Sequence, residues 1–390
     1  MRKSLAAGLS LVIILAALLY FRPVAAVRPE LKSVTVSSGA PVRLPWPAAG
    51  QAAFGAAGYG LLESKGPSSP VPIASITKVI TALAILQKKP IAAGGQGPVI
   101  TFGKDDVDLF NYYYLHDGSV AKISSGERLT EYQALEAMML PSANNVADSL
   151  AIWAFGSMQA YVDYANSMVS RMGLLYTTVG GASGFSDNTT STAEDLVRLG
   201  LAALKSPVLK SVVGEKDVNL PVAGAIRNVN WLLGQDGVVG IKTGNTGKAG
   251  GCYLYAAVRN ISGQDVTVVG SILGAPDLNS AISQADRIIK SADAGFQKLV
   301  VVHKGQKLGQ YQTAWGPEAA ISSPADIPML IWKGSAVKIS VNIHDISAPA
   351  RAGAPAGSIT VSNSEKKVTS QVVLGGGLSA PSWRWRIFHR

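Results

Sequence analysis

The sequence predicts a mixed α/β domain built on an antiparallel sheet, followed by a small all-β domain. Three observations predict it. Val79-Ile80-Thr81-Ala82-Leu83-Ala84-Ile85-Leu86 is apolar nearly all round, which marks a buried core helix. Two β-rich runs, 252–258 and 266–273, are joined through Asn260-Ile261-Ser262-Gly263, a connection tight enough to argue antiparallel pairing. After about residue 299 the pattern changes to short strand-like runs between Gly/Pro turns.

Composition sets the limits. The chain has 390 residues, 47% of them hydrophobic, enough for a large domain with a sizeable core plus a smaller one. Lys+Arg is 35 and Asp+Glu 25, a formal charge of +10. A basic surface suits an anionic membrane or an acidic wall polymer. No basic helix or aromatic ribonucleoprotein motif accompanies it, so no nucleic acid is expected as a partner. Cys252 is the single cysteine, so there is no intrachain disulfide. Cys/His metal spacing is missing too, and no metal or cofactor is expected.

In chain order, Arg2 and Lys3 precede an apolar run over 4–21 that ends at Arg22-Pro23. Residues 1–27 read as an export signal, cleaved near Val24-Ala25-Ala26, or as a single membrane anchor. Both place the rest outside the cytoplasm. Residues 28–52, with Pro29, Pro41, Pro45 and Pro47, read as an extended linker. The main domain spans 53–298. Residues 56–62 suit a first buried strand and 66–70 a turn. The core helix follows, with Lys88 and Lys89 at its C-terminal end and Pro90 stopping it. Irregular, aromatic 103–126, with Phe110-Asn111-Tyr112-Tyr113-Tyr114, reads as a packed surface loop or as a lip over a site.

Thr130-Glu131-Tyr132-Gln133 is a capping box that opens a helix to 139. Pro141 breaks it, and a short helix follows over 146–155. Another covers 158–172, closed by Gly173. Gly/Ser/Asn-rich 177–190 looks like an ordered surface loop. Ser191-Thr192-Ala193-Glu194 caps a helix over 195–204. Residues 238–244 form a strand ending in a turn, and 277–296 a long amphipathic helix. The β-rich domain covers 299–378, with strands at 300–303, 329–332, 337–341, 358–361 and 371–374. The tail, 379–390, interleaves Trp383 and Trp385 with Arg384 and Arg386. It suits either a lipid interface or packing onto the β domain.

The chemistry centres on Ala74-Ser75-Ile76-Thr77-Lys78. Pro72 favours an extended approach, Ser75 falls in the first turn of the core helix, and Lys78 shares its face at i+3. Free N–H groups and the positive dipole end favour an oxyanion at Ser75 and disfavour an ammonium on Lys78, as a lysine base requires. Ser-x-x-Lys recurs at Ser119, Ser335 and Ser364, so alone it proves little. It gains weight from Ser142-x-Asn144 and Lys242-Thr243-Gly244, which follow it in order.

With those motifs the chain resembles the penicillin-binding D,D-carboxypeptidases, low-molecular-mass penicillin-binding proteins related to class A β-lactamases. The flanks agree: 72–79 and 140–147 look like the family's versions. The resemblance covers roughly 53–296 and continues more weakly beyond. It implies a β-lactamase/transpeptidase-like antiparallel sheet with helices on both faces, then a small all-β domain. It also implies peptidoglycan stem peptides ending in D-Ala-D-Ala as substrate, β-lactam antibiotics as covalent inhibitors, and a membrane surface as neighbour.

The expected catalytic residues are Ser75 as nucleophile, Lys78 as neutral base and Ser142 as proton shuttle with Lys242. Lys242⁺ helps depress Lys78, since two lysines facing one pocket resist both being charged. Asn144 orients Lys78 and binds the substrate amide, while Lys242 and Thr243 meet the substrate carboxylate. Gly244 lets backbone approach backbone. By family analogy, the N–H groups of Ser75 and Asn245 form the oxyanion hole. Two other Ser-x-Asn sequences begin at Ser186 and Ser340. Ser142 is preferred to Ser186 because apolar helices flank it and hold its hydroxyl.

Competing readings are weaker. A Ser-His-Asp triad finds only His116, His303, His344 and His389, with no Gly-x-Ser-x-Gly elbow. A class A β-lactamase needs a glutamate in the loop after the second motif. Here 177–190 carries only Asp187, so a penicilloyl enzyme should deacylate slowly. Transpeptidase, endopeptidase and non-catalytic wall-binding readings remain as alternatives.

Overall fold

Strands Gly250–Ile261 and Gln264–Ala275 pair antiparallel through a two-residue turn. Ser262 and Gly263 there have φ of +52° and +80°, the left-handed pair that matches the twist of a tight hairpin. This computed structural model describes residues 2–32 and 36–389. It divides into two units, Val42–Phe296 and a discontinuous one of Met1–Pro41 with Gln297–Arg390.

In the larger unit the hairpin is the centre of a five-stranded antiparallel sheet. The order is Val238–Thr246, Gly250–Ile261, Gln264–Ala275, Gln51–Ala56, Gly60–Lys65. Consecutive residues Leu254, Tyr255 and Ala256 are all fully buried. Since neighbours on a strand point to opposite faces, both faces are covered. The helix Ala193–Ala203 lies on one: a Cβ on Gly200 would come within 3.1 Å of Leu254 and Ile241. Leu278–Ala292 packs on the same central strands. The core helix, Thr77–Lys88, buries every residue from Thr77 to Ile85.

Several helices start where side chains satisfy free N–H groups. Thr130 and Gln133 close the reciprocal capping box of Glu131–Met139. Thr192 accepts from Asp195 N, and Asp277 from Ser280 N.

The structure corrects three local expectations and adds a helix. Residues 56–62 are not one strand but the turn of a hairpin, with Gly58 and Gly60 at positive φ. The segment 103–126 contains a helix, Lys104–Leu115. Asp106 accepts from Gly103 N at 2.7 Å, and Asp105 and Asp106 complement the helix dipole. Pro207–Gly214 is a further helix, with Ser206 as N-cap and Pro207 in its first turn. The stretch expected as a linker also carries structure. Pro29–Leu31 forms the edge strand of the smaller unit's sheet, where a strand-initial proline costs no ladder bond.

That sheet has six strands, in the order Pro29–Leu31, Lys307–Gln312, Glu318–Ser322, Lys366–Leu374, Pro355–Asn363, Val337–Ile343. Phe296–Val302 pairs separately with Ile327–Trp332. Among the described residues no helix is long and apolar enough to cross a membrane. The helix Arg2–Phe21 exposes Leu9, Leu11, Val12, Ile13, Ile14, Leu15, Leu18 and Phe21. It meets the short helix Trp383–Phe388 through Arg386, which donates to Tyr20 O at 2.9 Å. Trp385 also packs on Trp315 of the β unit, centroids 5.3 Å apart, while Trp383 and Phe388 face outward.

Candidate active site

The chain enters the site as a short strand, Val71–Pro72, paired with Thr190–Ser191. Ala74 then takes a left-handed φ of +47°, and Ala74–Ile76 makes one 3₁₀ turn before the core helix begins. Thr77 Oγ1 donates to Ala74 O at 2.7 Å and fixes that turn. Ser75 is half-buried, whereas Lys78 is fully buried.

Lys78 Nζ lies 3.0 Å from Ser75 Oγ. It donates to Asn144 Oδ1 and to Ser183 O, both at 2.7 Å. Its pKa is held well below the usual lysine range by burial and then by Lys242, with Asp148 opposing. A neutral amine has two hydrogens. With those committed to Asn144 and Ser183, a neutral Lys78 would have its lone pair left for the Ser75 hydroxyl.

Asn144 is the first residue of the helix Asn144–Phe155, and its N–H donates to Ser119 O at 2.7 Å. Ser142, two residues earlier, has φ +67° and is nearly buried. Among the described residues its Oγ has no hydrogen-bond partner. A left-handed serine with an unpaired buried hydroxyl is locally costly, the kind of strain that clusters at working sites. Asn145 clamps Ala121, accepting from its N at 3.1 Å and donating to its O at 2.9 Å.

The strand Val238–Thr246 is the sheet edge and packs on the 3₁₀ turn that holds Ser75. Lys242 and Thr243 are 3% exposed, and burial pushes Lys242 down to about 7. A Cβ on Gly244 would stand 3.0 Å from Ser75 N and 3.1 Å from Ile73 O. Asn245 is exposed and lines a cleft of about 450 Å³ together with Ser75, Asn144, Gly184, Asp187 and Lys248.

Thus Ser75, Lys78, Asn144 and Gly244 meet directly, and Lys242 acts on Lys78 through its charge. The loop 177–190, expected as surface, is a wall of this site. It supplies the Ser183 carbonyl. Gly184, at φ +71°, lies so close to Ala74 that a Cβ would stand 2.0 Å from Ala74 O. Its Ser186 is exposed and its Asp187 pairs with Lys248 at 3.9 Å. His116 is exposed, with Nδ1 2.7 Å from Tyr112 O.

Sequence reasoning missed Asp148 and Ser183, and named Tyr113 only within the aromatic stretch read as a surface loop or a lip over a site. Tyr113 OH donates to Asp148 Oδ2 at 2.5 Å and lies 3.3 Å from Ser183 Oγ. None belongs to a motif. The signal for Asp148 was a carboxylate one turn after Asn144 in the helix 144–155, where it is the only charged residue.

A helix-covered antiparallel sheet with a Ser-x-x-Lys turn against its edge strand defines the class, the penicillin-recognising serine acyl-transferases. More than half of the chain, residues 56–276, matches the family model of the D-alanyl-D-alanine carboxypeptidases, peptidase family S11, and the chain belongs to that family. Similar proteins include a D-alanyl-D-alanine carboxypeptidase of Streptomyces sp. strain K15, 26% identical over 55% of this chain and 76% of the relative. A D-alanyl-D-alanine endopeptidase of Pseudomonas aeruginosa is 29% identical over 54% of this chain and 66% of the relative. The structure of penicillin-binding protein 5 from Haemophilus influenzae superposes with a TM-score of 0.63. At 19% identity, that likeness covers 87% of this chain and all of the other and speaks for the fold.

Proposed function

We propose that this chain removes the terminal D-Ala from peptidoglycan stem peptides through an acyl-enzyme on Ser75. The observation that carries the reading is the placing of Lys78 Nζ 3.0 Å from Ser75 Oγ, with its other bonds taken by Asn144 and Ser183. Ser75 Oγ attacks the carbonyl of the penultimate D-Ala, and its proton passes to Lys78. The oxyanion is met by the N–H groups of Ser75 and Asn245. The C–N bond breaks as Ser142 and Lys242 deliver a proton to the leaving amine. Water then hydrolyses the ester. Lys242 and Thr243 hold the substrate carboxylate, and Gly244 keeps the strand close to the nucleophile turn.

A β-lactam enters the same path and stops at the ester. Residues 53–298 form the catalytic domain in this reading, and 299–378 a β domain. The apolar 4–21 segment and the Trp/Arg tail hold the protein at the outer face of an anionic membrane. An amine acceptor in place of water would give transpeptidation. The test is D-Ala release from a diacyl-Lys-D-Ala-D-Ala peptide. Wild type should release it and Ser75→Ala should not. Equal release by both removes Ser75 from the mechanism.

A further inference from the structure

Behind Lys78 lies a carboxylate that the reaction above does not use. Asp148 follows Asn144 by four residues on one helix, so the two side chains share a face one turn apart. Asn144 touches Lys78 directly. Asp148 is buried, accepts from Tyr113 OH at 2.5 Å, and has no partner for Oδ1 among the described residues. An apolar residue would pack here at no polar cost, whereas a buried, half-satisfied carboxylate is expensive.

Tyr113 is held in turn. It comes from the helix Lys104–Leu115, stacks edge-on with Phe185 at 5.2 Å, and reaches Ser183 Oγ. Ser183 O accepts from Lys78 Nζ. The carboxylate and the base are therefore joined twice, along the Asn144 helix and through Tyr113 and Ser183.

We propose that Asp148, held by Tyr113, is a positioning residue for Lys78: a buried counter-charge that stabilises the ammonium formed when Ser75 gives up its proton. It rests on the reading of Lys78 as the base. Opposite it, Lys242 works in the other direction. Burial, with Lys242 adding to it, favours a neutral resting amine, and Asp148 opposes both, keeping that amine basic enough to take a proton. A lysine facing Lys242 alone would be too weak a base to deprotonate a serine.

The groups facing this pair come from four elements. Lys242 reaches Lys78 from the edge strand, and Asp148 from the Asn144 helix. Tyr113 and Tyr161 face Asp148 from the aromatic helix and from Met158–Arg171. Burial raises Asp148 to about 6, while the Tyr113 hydrogen bond and a charged Lys78 favour its ionised form.

A negative Asp148 raises the proton affinity of Lys78. Removing that charge lowers it, and neutral Lys78 then persists to lower pH. In Asp148→Asn the acid limb of the acylation rate, read with a fluorescent penicillin, should move to lower pH. Its alkaline plateau should fall by no more than about tenfold, short of the 10²–10⁴ that a lost general base costs. Asp148→Glu should restore both in part. Tyr113→Phe strips Asp148 of its donor, favours the neutral carboxyl, and should move the limb the same way.

Melting curves on the same preparations separate folding from chemistry. A folded Asp148→Asn enzyme whose limb stays in place, or whose rate falls equally at every pH, overturns the proposal while leaving Ser75 and Lys78 as they were. Ser75→Ala, run alongside, tests that parent reading, because only its failure to abolish labelling touches it.

Discussion

Gly244 and Ser75 are in backbone contact: a single added carbon on Gly244 would stand 3.0 Å from the Ser75 amide nitrogen. It would also lie 3.1 Å from Ala74 Cβ and from Ile73 O. The glycine lets the edge strand lie against the turn that carries Ser75; it does not supply unusual backbone angles. Gly244→Ala should push the two apart. If Ser75 N is an oxyanion donor, the acylation rate falls by about 10²-fold. Overpacking should cost about 1–3 kcal/mol of stability. Stopped-flow acylation with a chromogenic β-lactam and urea melts would check both, and a wild-type acylation rate would show that the close approach is incidental.

Lys242 should destabilise the protein that needs it. Burial lowers its pKa from 10.5 to about 7. Between those values the unfolded chain binds a proton that the folded chain refuses, so stability rises with pH across that window. Every tenfold loss of proton affinity on folding corresponds to about 1.4 kcal/mol. Lys242→Met keeps the bulk and removes the charge. It is expected to melt higher than wild type at pH 7, with the gain shrinking toward pH 10, and to release no D-Ala. A lower melting temperature at pH 7 would mean that the ammonium contributes net stability after all.

The 177–190 loop bears on the fate of a bound penicillin. Its one carboxylate, Asp187, is spoken for by Lys248 at 3.9 Å at the rim of the cleft. With no glutamate in the loop to activate water, a labelled penicillin should stay on Ser75 for minutes or longer. Asp187→Asn should leave that lifetime unchanged. Rapid turnover, abolished by Asp187→Asn, would reassign the protein as a β-lactamase.

What the sequence disclosed and what it hid differ in kind. That Ser75 and Lys78 lie side by side was legible from their i, i+3 spacing, although Ser75 sits in a 3₁₀ turn ahead of the helix and not in its first turn; the apolar run after them could only be interior. The hairpin at Ser262-Gly263 and the Thr130 capping box were legible because each is a local arrangement among a few neighbouring residues. Lys104–Leu115 was hidden. Its cap is an aspartate reaching back to a glycine N–H, and its aromatic run carries no clean helical stripe. Pro207–Gly214 is announced only by Ser206-Pro207, a start signal in front of a run too short to show a helical period. The Ser183 carbonyl on Lys78 was out of reach, because it joins residues 105 positions apart through a backbone atom that any residue type supplies.

Asn145 offers a test of how rigidly Asn144 must be held against Lys78. Its side chain satisfies both backbone groups of Ala121. Two residues before Ala121, Ser119 O accepts from Asn144 N. One amide therefore ties the 119–121 segment to the helix that aims Asn144 at Lys78. Asn145→Ala leaves a buried N–H and a buried C=O unpaired, at a cost of about 2–3 kcal/mol. The freed segment should let Asn144 drift and lower the acylation rate by about tenfold, since small misplacements near a reacting group are amplified. Urea unfolding and penicillin labelling of one preparation would separate the effects. Lost stability with unchanged acylation would confine Asn145 to holding the fold.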